Sequence, residues 1–204
     1  MASITDIIAK KFPEATFSGD VNPVVTIPDS RWHDLAIALR DTEGLKMDYL
    51  VTVVGMDWAE GLGCIYYLMS SVTNEVIGVK IMAEGGRECP TVTSAADVWK
   101  VATLYEREVY DFYGIIFVNN PDMRRLFLSL DWKGYPLLKD YDDTPDINPV
   151  SIESERQSDF TDVYSRDKNG KLVKNEVRIF EPEDFVVNIG PQHPATHGVL
   201  RFRT

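Results

Sequence analysis

Residues Glu106 to Tyr141 read EREVYDFYGIIFVNNPDMRRLFLSLDWKGYPLLKDY, and the reading of this stretch decides the rest. It opens as a helix end, Glu106 to Phe112, and breaks at Gly114. An apolar, strand-like piece follows, Ile115 to Val118. Asn119-Asn120-Pro121-Asp122 then makes a turn, because Asn tolerates left-handed backbone and Pro fixes φ. After Arg124 and Arg125 come Leu126 to Leu128 and a second compact turn through Gly134 and Pro136. The stretch contains no nucleophile beside a base, no metal cage and no phosphate loop. It reads as a rigid surface carrying fixed charges, which points to recognition of protein rather than to chemistry.

Upstream, the pattern predicts an α+β domain over residues 1–140. Ser3 to Phe12 has Ile4, Ile7, Ile8 and Phe12 at helical spacing. Ala15 to Gly19 and Val24 to Ile27 are two short strands. Asp29 or Ser30 is expected to cap a second helix whose face is Trp32, Leu35, Ala36 and Leu39. Tyr49 to Val54, Cys64 to Val72 and Val76 to Met82 follow as strands, the last two an antiparallel hairpin turning at Asn74. Gly55 to Gly63 reads as a loop, in which Asp57-Trp58 is either a site or, the favoured reading, a turn with a partly buried Trp. Thr93 or Ser94 is expected to cap a long helix, Ala95 to Phe112, with Val98, Ala102, Tyr105, Val109 and Phe112 as its apolar stripe. The implied architecture is two layers, helices against a mostly antiparallel, mixed sheet. On the last helix Arg107 and Asp111 are spaced to pair at i,i+4. Glu106, Arg107 and Glu108 read either as a solvated helix end or as interface charges.

Composition narrows the function classes. The 204 residues are 44% hydrophobic and carry a formal charge of −11. That charge argues against nucleic acid, whose phosphates need a basic surface. No run of 18 or more apolar residues exists to span a membrane, and the first residues lack the apolar core of a signal peptide. Cys64 and Cys89 lie far apart with no C-x-x-C, too few thiols for an iron–sulfur cluster or a structural zinc. Gly85-Gly86 is a breaker rather than a P-loop. Residues 140–184 hold 13 acidic and 6 basic residues. Residues 141–184 therefore read as an acidic extended linker or wrapping arm, although Lys171 to Phe180 alternates enough to add a strand on binding.

Residues 185–204, FVVNIGPQHPATHGVLRFRT, read strand, turn, strand, with two of the chain's three histidines, His193 and His197, in the turn. Four apart on a helix they would be a metal pair. Pro191 and Pro194 and the missing third ligand argue against that.

Two of these stretches carry a resemblance. ERE-x-YD-x-[FY]-GI-x-F, PD-x-RR and DW-x-G-x-P-x-x-KDY, as they stand between Glu106 and Tyr141, are similar to the signature of the C-type subunit of respiratory complex I, the 30-kDa class of NADH:quinone oxidoreductase. That family usually has His where this chain has Asn120, and Arg where it has Leu138. G-P-Q-H-P-A-T-H-G-V-L-R, from Gly190 to Arg201, is similar to the opening motif of the D-type subunit. The order implies the N-terminal part of a fused C/D polypeptide, with 185–204 a truncated start of D. The resemblance implies a non-catalytic structural region of the peripheral arm, on the cytoplasmic face of the inner (plasma) membrane. It implies contacts with the D portion, B and neighbouring subunits, and no cofactor bound by this chain itself. FMN, iron–sulfur clusters, NADH and quinone belong to the complex. Subunit-interface roles would fall on Glu106, Arg107, Glu108, Asp111, Arg124, Arg125, Asp131, Trp132, Pro136, Lys139 and Asp140. On that reading, replacing both Arg124 and Arg125 with Ala leaves the isolated domain folded but weakens assembly. His193 and His197 would line a quinone-pocket loop, with His197 bonding the headgroup. Two alternatives stand beside this reading: a related membrane-bound hydrogenase or ferredoxin-linked complex, and an independent acidic α+β protein-binding domain.

Overall fold

The structure is a computed structural model. It describes residues 3–19, 22–128, 132–141, 159–180, 186–189 and 200–203. Helix α1 (Ile4–Lys11) starts where the sequence places it, because Ser3 and Asp6 form a reciprocal capping box. Strands β1 (Thr16–Ser18) and β2 (Val24–Thr26) lead into α2 (Asp29–Asp41). Strands β3 (Tyr49–Trp58), β4 (Gly61–Met69) and β5 (Val76–Met82) complete a five-stranded sheet in the order β1-β2-β5-β4-β3. All its pairs are antiparallel except β2 with β5, so the expected mixed, mostly antiparallel sheet is present. Asn74, at φ 58°, makes the expected β4–β5 turn. Trp32, Leu35 and Leu39 of α2 and Ile8 of α1 share one buried core with Tyr66, Leu68, Ile77, Val79 and Ile81 of the sheet. A smaller parallel pair, β6 (Thr91–Thr93) with β7 (Ile116–Val118), is joined through α3 (Ala102–Tyr113).

Several boundaries differ from the sequence reading, each for a physical reason. Asp29 does not cap α2, because both its carboxylate oxygens are taken by Thr93, one by the backbone N–H at 2.6 Å and one by the hydroxyl at 2.8 Å. Residues 55–58 extend β3 instead of forming a loop. Gly55 sits there as the site of closest approach: a Cβ would lie 2.4 Å from the Tyr113 ring of α3. The long helix begins at Ala102, not Ala95. The Ala95 N–H donates to the Glu106 carboxylate at 2.9 Å, whereas a continuous helix would hold those residues about 16 Å apart. Residues 94–101 instead fold back as turns beneath α3. Gly114 then ends α3 with a left-handed φ of 73°.

The acidic stretch holds a hairpin, β8 (Phe160–Arg166) with β9 (Leu172–Arg178). The strand expected around Lys171 to Phe180 is present. Its partner is β8 of the same chain, and the hairpin rests on this chain's own domain: the Asn119 N–H donates to the Tyr164 carbonyl at 2.7 Å. Strands β10 (Val186–Ile189) and β11 (Leu200–Arg203) pair antiparallel, matching the two strands read there; the residues between them lie outside the described ones.

Candidate functional site

The signature stretch is organised by carboxylates that point inward. Glu106 is fully buried. It accepts four hydrogen bonds: from Tyr66 Oη at 2.8 Å, Ser94 Oγ at 2.6 Å, the Ala95 N–H at 2.9 Å and Asn120 Nδ2 at 2.8 Å. Burial raises its pKa, and those donors oppose the rise. The same burial, with Glu106 alongside, pushes the Tyr66 phenol well up.

One turn further along α3, Asp111 is also fully buried. Its Oδ2 accepts three successive backbone N–H groups, Leu126 at 3.0 Å, Phe127 at 2.7 Å and Leu128 at 2.9 Å. Its Oδ1 accepts from Arg125 Nη1 at 2.9 Å. Arg125 also donates to the carbonyls of Trp132 and Gly134, and lies over the Tyr135 ring. Arg107 does not pair with Asp111 as its i,i+4 spacing suggests. It donates to the carbonyls of Arg124 and Arg125 and pairs with Asp122 at 3.0 Å. Asp122 also holds Arg124 and the Thr161 hydroxyl of β8. Burial works to raise the Asp122 pKa, but Arg124 and Arg107 outweigh it and the net shift is downward.

A fourth carboxylate is Asp57, at the end of β3. Its side chain is 4% exposed and takes both ends of the Arg87 guanidinium, at 2.7 and 3.0 Å, plus the Lys139 N–H at 3.0 Å. Arg87, with help from Lys139 against the burial penalty, lowers its pKa to about 2. Arg87 also reaches the exposed Asp140 at 2.8 Å.

These contacts place each residue named from the sequence. Glu106, Arg107 and Asp111 are buried, so the solvated-end reading fails for the first two. A group without exposed surface touches no partner while this packing holds. Arg124 and Arg125, at 14% and 12% side-chain exposure, also spend their charge inside the chain, so the expectation that folding tolerates their loss is revised. Glu108 is half-buried on the outer flank of α3, and Pro136 is half-buried in the second turn. Trp132 contributes its carbonyl to Arg125. Lys139 contributes its backbone N–H, and its side chain is exposed. Asp131, His193 and His197 lie outside the described residues. The sequence reading missed Asp57, Arg87, Asp122, Asn120 and Thr161 as members of these clusters. The available signals were an Arg inside the Gly-Gly breaker and an Asp in the Pro-Asp turn.

Large apolar side chains lie on the outside of the same stretch, beside the exposed Lys133, Lys139 and Asp140. Phe127 stacks on Phe112, with centroids 5.8 Å apart, yet is 65% exposed. Leu137, whose N–H donates to the Phe112 carbonyl, is 51% exposed. Leu104, 50% exposed, continues the same α3 face through Glu108 to Phe112. Among the described residues no group of three or more His, Cys, Asp or Glu could hold a metal ion, and no helix is long and apolar enough to cross a membrane. Cys64 is a buried free thiol and Cys89 an exposed one.

A family described as the respiratory-chain NADH dehydrogenase 30-kDa subunit matches residues 25–146, more than half of the chain and the whole of the clustered stretch. The chain belongs to this family. Its relatives include the fused C/D polypeptide of NADH-quinone oxidoreductase from Phocaeicola vulgatus, 46% identical over 180 residues, which cover 88% of this chain and 34% of that protein. The C/D polypeptide of Bacteroides thetaiotaomicron is 46% identical over 182 residues, 84% of this chain and 34% of that protein. The separate C polypeptide of the Chloroherpeton thalassium NADH-quinone oxidoreductase is 38% identical over 141 residues, 66% of this chain and 58% of that protein. The chain thus spans about a third of the length of the C/D relatives it matches. Among solved structures, a chain of an archaeal membrane-bound sulfane sulfur reductase superposes with a TM-score of 0.60. That match covers 69% of this chain and 84% of the other at 21% identity, a likeness of fold. In this member of the 30-kDa subunit family, then, the run from Glu106 to Asp111 supplies interior scaffolding as well as surface.

Proposed function

We propose that this chain is a non-catalytic bracing element in the peripheral arm of an NADH:quinone oxidoreductase, and that it is inactive alone. One observation carries the reading: Glu106, Arg107, Asp111, Asp122, Arg124 and Arg125 turn inward and fix the backbone of the 106–141 stretch, leaving a firm apolar surface of the half-buried Phe112 and the exposed Phe127 and Leu137 for a partner. A surface that is already rigid loses little conformational freedom on docking, which is what a bracing contact needs. Family membership supports NADH:quinone oxidoreductase as the assembly. In this reading FMN, iron–sulfur clusters, NADH and quinone are held by the complex, on the cytoplasmic face of the inner membrane. The segment from Gly190 to Arg201 contributes its histidines to a quinone-binding loop completed by the remainder of the D-type polypeptide. A neutral or protonated imidazole at His197 donates a hydrogen bond to the headgroup oxygen.

The test is purification of the native protein from membranes dissolved in mild detergent. Flavin- and iron–sulfur-containing polypeptides are expected to travel with it. Recovery of the chain free of them overturns the proposal. Within such a complex, His197→Ala is expected to lower quinone reduction while electron transfer from NADH to an artificial acceptor is retained. Equal quinone turnover removes the headgroup role.

A further inference from the structure

Three oxidisable rings form a line through the core. Trp99 is 5% exposed and sits between the exposed residues Asp97 and Lys100, so it lies just under the surface. Trp32, fully buried, stacks on it with centroids 6.4 Å apart. Tyr66, also fully buried, meets the other side of Trp32 at 4.6 Å. The three rings have different partners for their protons. Trp99 Nε1 donates to the Met47 carbonyl at 3.0 Å, an acceptor of hydrogen bonds but not of protons. Trp32 Nε1 has no hydrogen-bond partner among the described residues. Only Tyr66 faces a base, the Glu106 carboxylate at 2.8 Å.

We propose that Trp99, Trp32 and Tyr66 form a one-electron relay that moves an oxidising equivalent from the surface to Tyr66, where Glu106 takes the phenolic proton. An oxygen- or sulfur-centred radical at the surface gains one electron from Trp99. Trp32 refills Trp99, and Tyr66 refills Trp32. The last step breaks the Tyr66 O–H bond. The electron goes to the Trp32 cation radical and the proton goes to Glu106. A positive ring and a negative carboxylate become a neutral tyrosyl radical and a neutral carboxylic acid. Direction follows from that cancellation. A charge in a dry core is costly, and neither indole can shed its proton, so the hole rests only where it is neutralised. Burial makes Glu106 the stronger base for this step. The relay uses none of the apolar surface proposed for bracing.

The experiment uses the full 204-residue chain with Cys89→Ser and a ruthenium polypyridyl photo-oxidant attached through Lys100→Cys, beside Trp99. Flash oxidation with a cobalt(III) ammine as electron acceptor, followed by freezing, is read by electron paramagnetic resonance. The expected product is a tyrosyl radical whose spectrum narrows when the chain carries ring-deuterated tyrosine, with an exchangeable proton hydrogen-bonded to the phenolic oxygen. Tyr66→Phe is expected to replace it with a tryptophan cation radical. Trp32→Phe is expected to lose the tyrosyl signal. Glu106→Gln, which removes the base, is expected to lose it as well. A tyrosyl signal that survives Tyr66→Phe overturns the proposal. So does a radical in the unsubstituted core that stays on tryptophan or lacks the exchangeable proton, and that readout needs no core variant to fold.

Discussion

Glu106 and Asp57 are both buried acids, and they respond to change in different ways. Glu106 satisfies four donors from three separate segments. Glu106→Ala strands all four in a dry core, where each unsatisfied group costs about 1–3 kcal/mol before relaxation. The expected loss is about 3–5 kcal/mol, the range for breaking a buried polar network, checked by the urea unfolding midpoint. For Asp57 the sign runs the other way in pH. Its folded pKa, about 2, lies below the ordinary Asp value of about 3.9. The stabilisation it gives is therefore full above that ordinary value and is lost as pH falls toward 2. Arg87→Ala is expected to move that acid loss to higher pH, seen as a shift in the pH profile of the unfolding midpoint, and Asp57→Asn to flatten the profile. Glu106, with its pKa raised, contributes oppositely: its proton-linked stability is full below the ordinary Glu value and falls as pH rises through the folded pKa. None of this was legible from the Glu-Arg-Glu run. Charges in a row at a helix end are usually solvated, and the partners that bury these lie 11 to 40 residues away in sequence.

At the scale of elements, the sequence was most informative where one local rule decided the outcome. The helix from Ser3, the alternation of Val76 to Met82, the turn at Asn74 and the helix break at Gly114 all read correctly for that reason. It misread elements that depend on distant contacts. Gly55 looked like a loop residue because the ring that fills its missing Cβ, Tyr113, sits on α3. The β8–β9 hairpin looked like part of an acidic arm because its charge is high, while its anchors are contacts to distant residues: the Asn119 N–H to the Tyr164 carbonyl, Arg166 to Glu84, and one buried hydroxyl. Thr161, 2% exposed, accepts the Met123 N–H at 3.1 Å and donates to Asp122 at 2.9 Å. Thr161→Val keeps the shape and removes both bonds. It is expected to cost about 1–3 kcal/mol, and to do so locally. Amides of residues 160–178 should exchange with deuterated solvent well before those of β4 and β5. Equal protection of hairpin and central sheet would show that the hairpin is held by something other than Thr161.

For the whole molecule, the question is how a chain of net charge −11 presents an apolar contact. It does so by turning arginines inward against acidic partners. Arg107 and Arg125 neutralise Asp122 and Asp111 inside the fold, and the outward apolar groups there are Phe127, Leu137 and the Leu104–Phe112 face of α3. If that surface serves docking, its residues are dispensable to the fold, whereas the arginines beneath it are not. Phe127→Ser with Leu137→Ser is accordingly expected to change the stability of the isolated chain by no more than about 0.5 kcal/mol each, as for surface positions generally. The same pair is expected to reduce co-purification with the membrane complex about tenfold or more, tenfold being about 1.4 kcal/mol of binding. Arg125→Ala is expected to do the reverse in order of cause: it leaves Asp111 buried and unpaired, so unfolding comes first, at about 3–5 kcal/mol, and any loss of assembly follows from it. Measuring both unfolding and co-purification on both variants separates surface from support. Loss of assembly without loss of stability in the Phe127/Leu137 pair locates the contact, and unchanged assembly in that pair moves the docking face elsewhere on the chain.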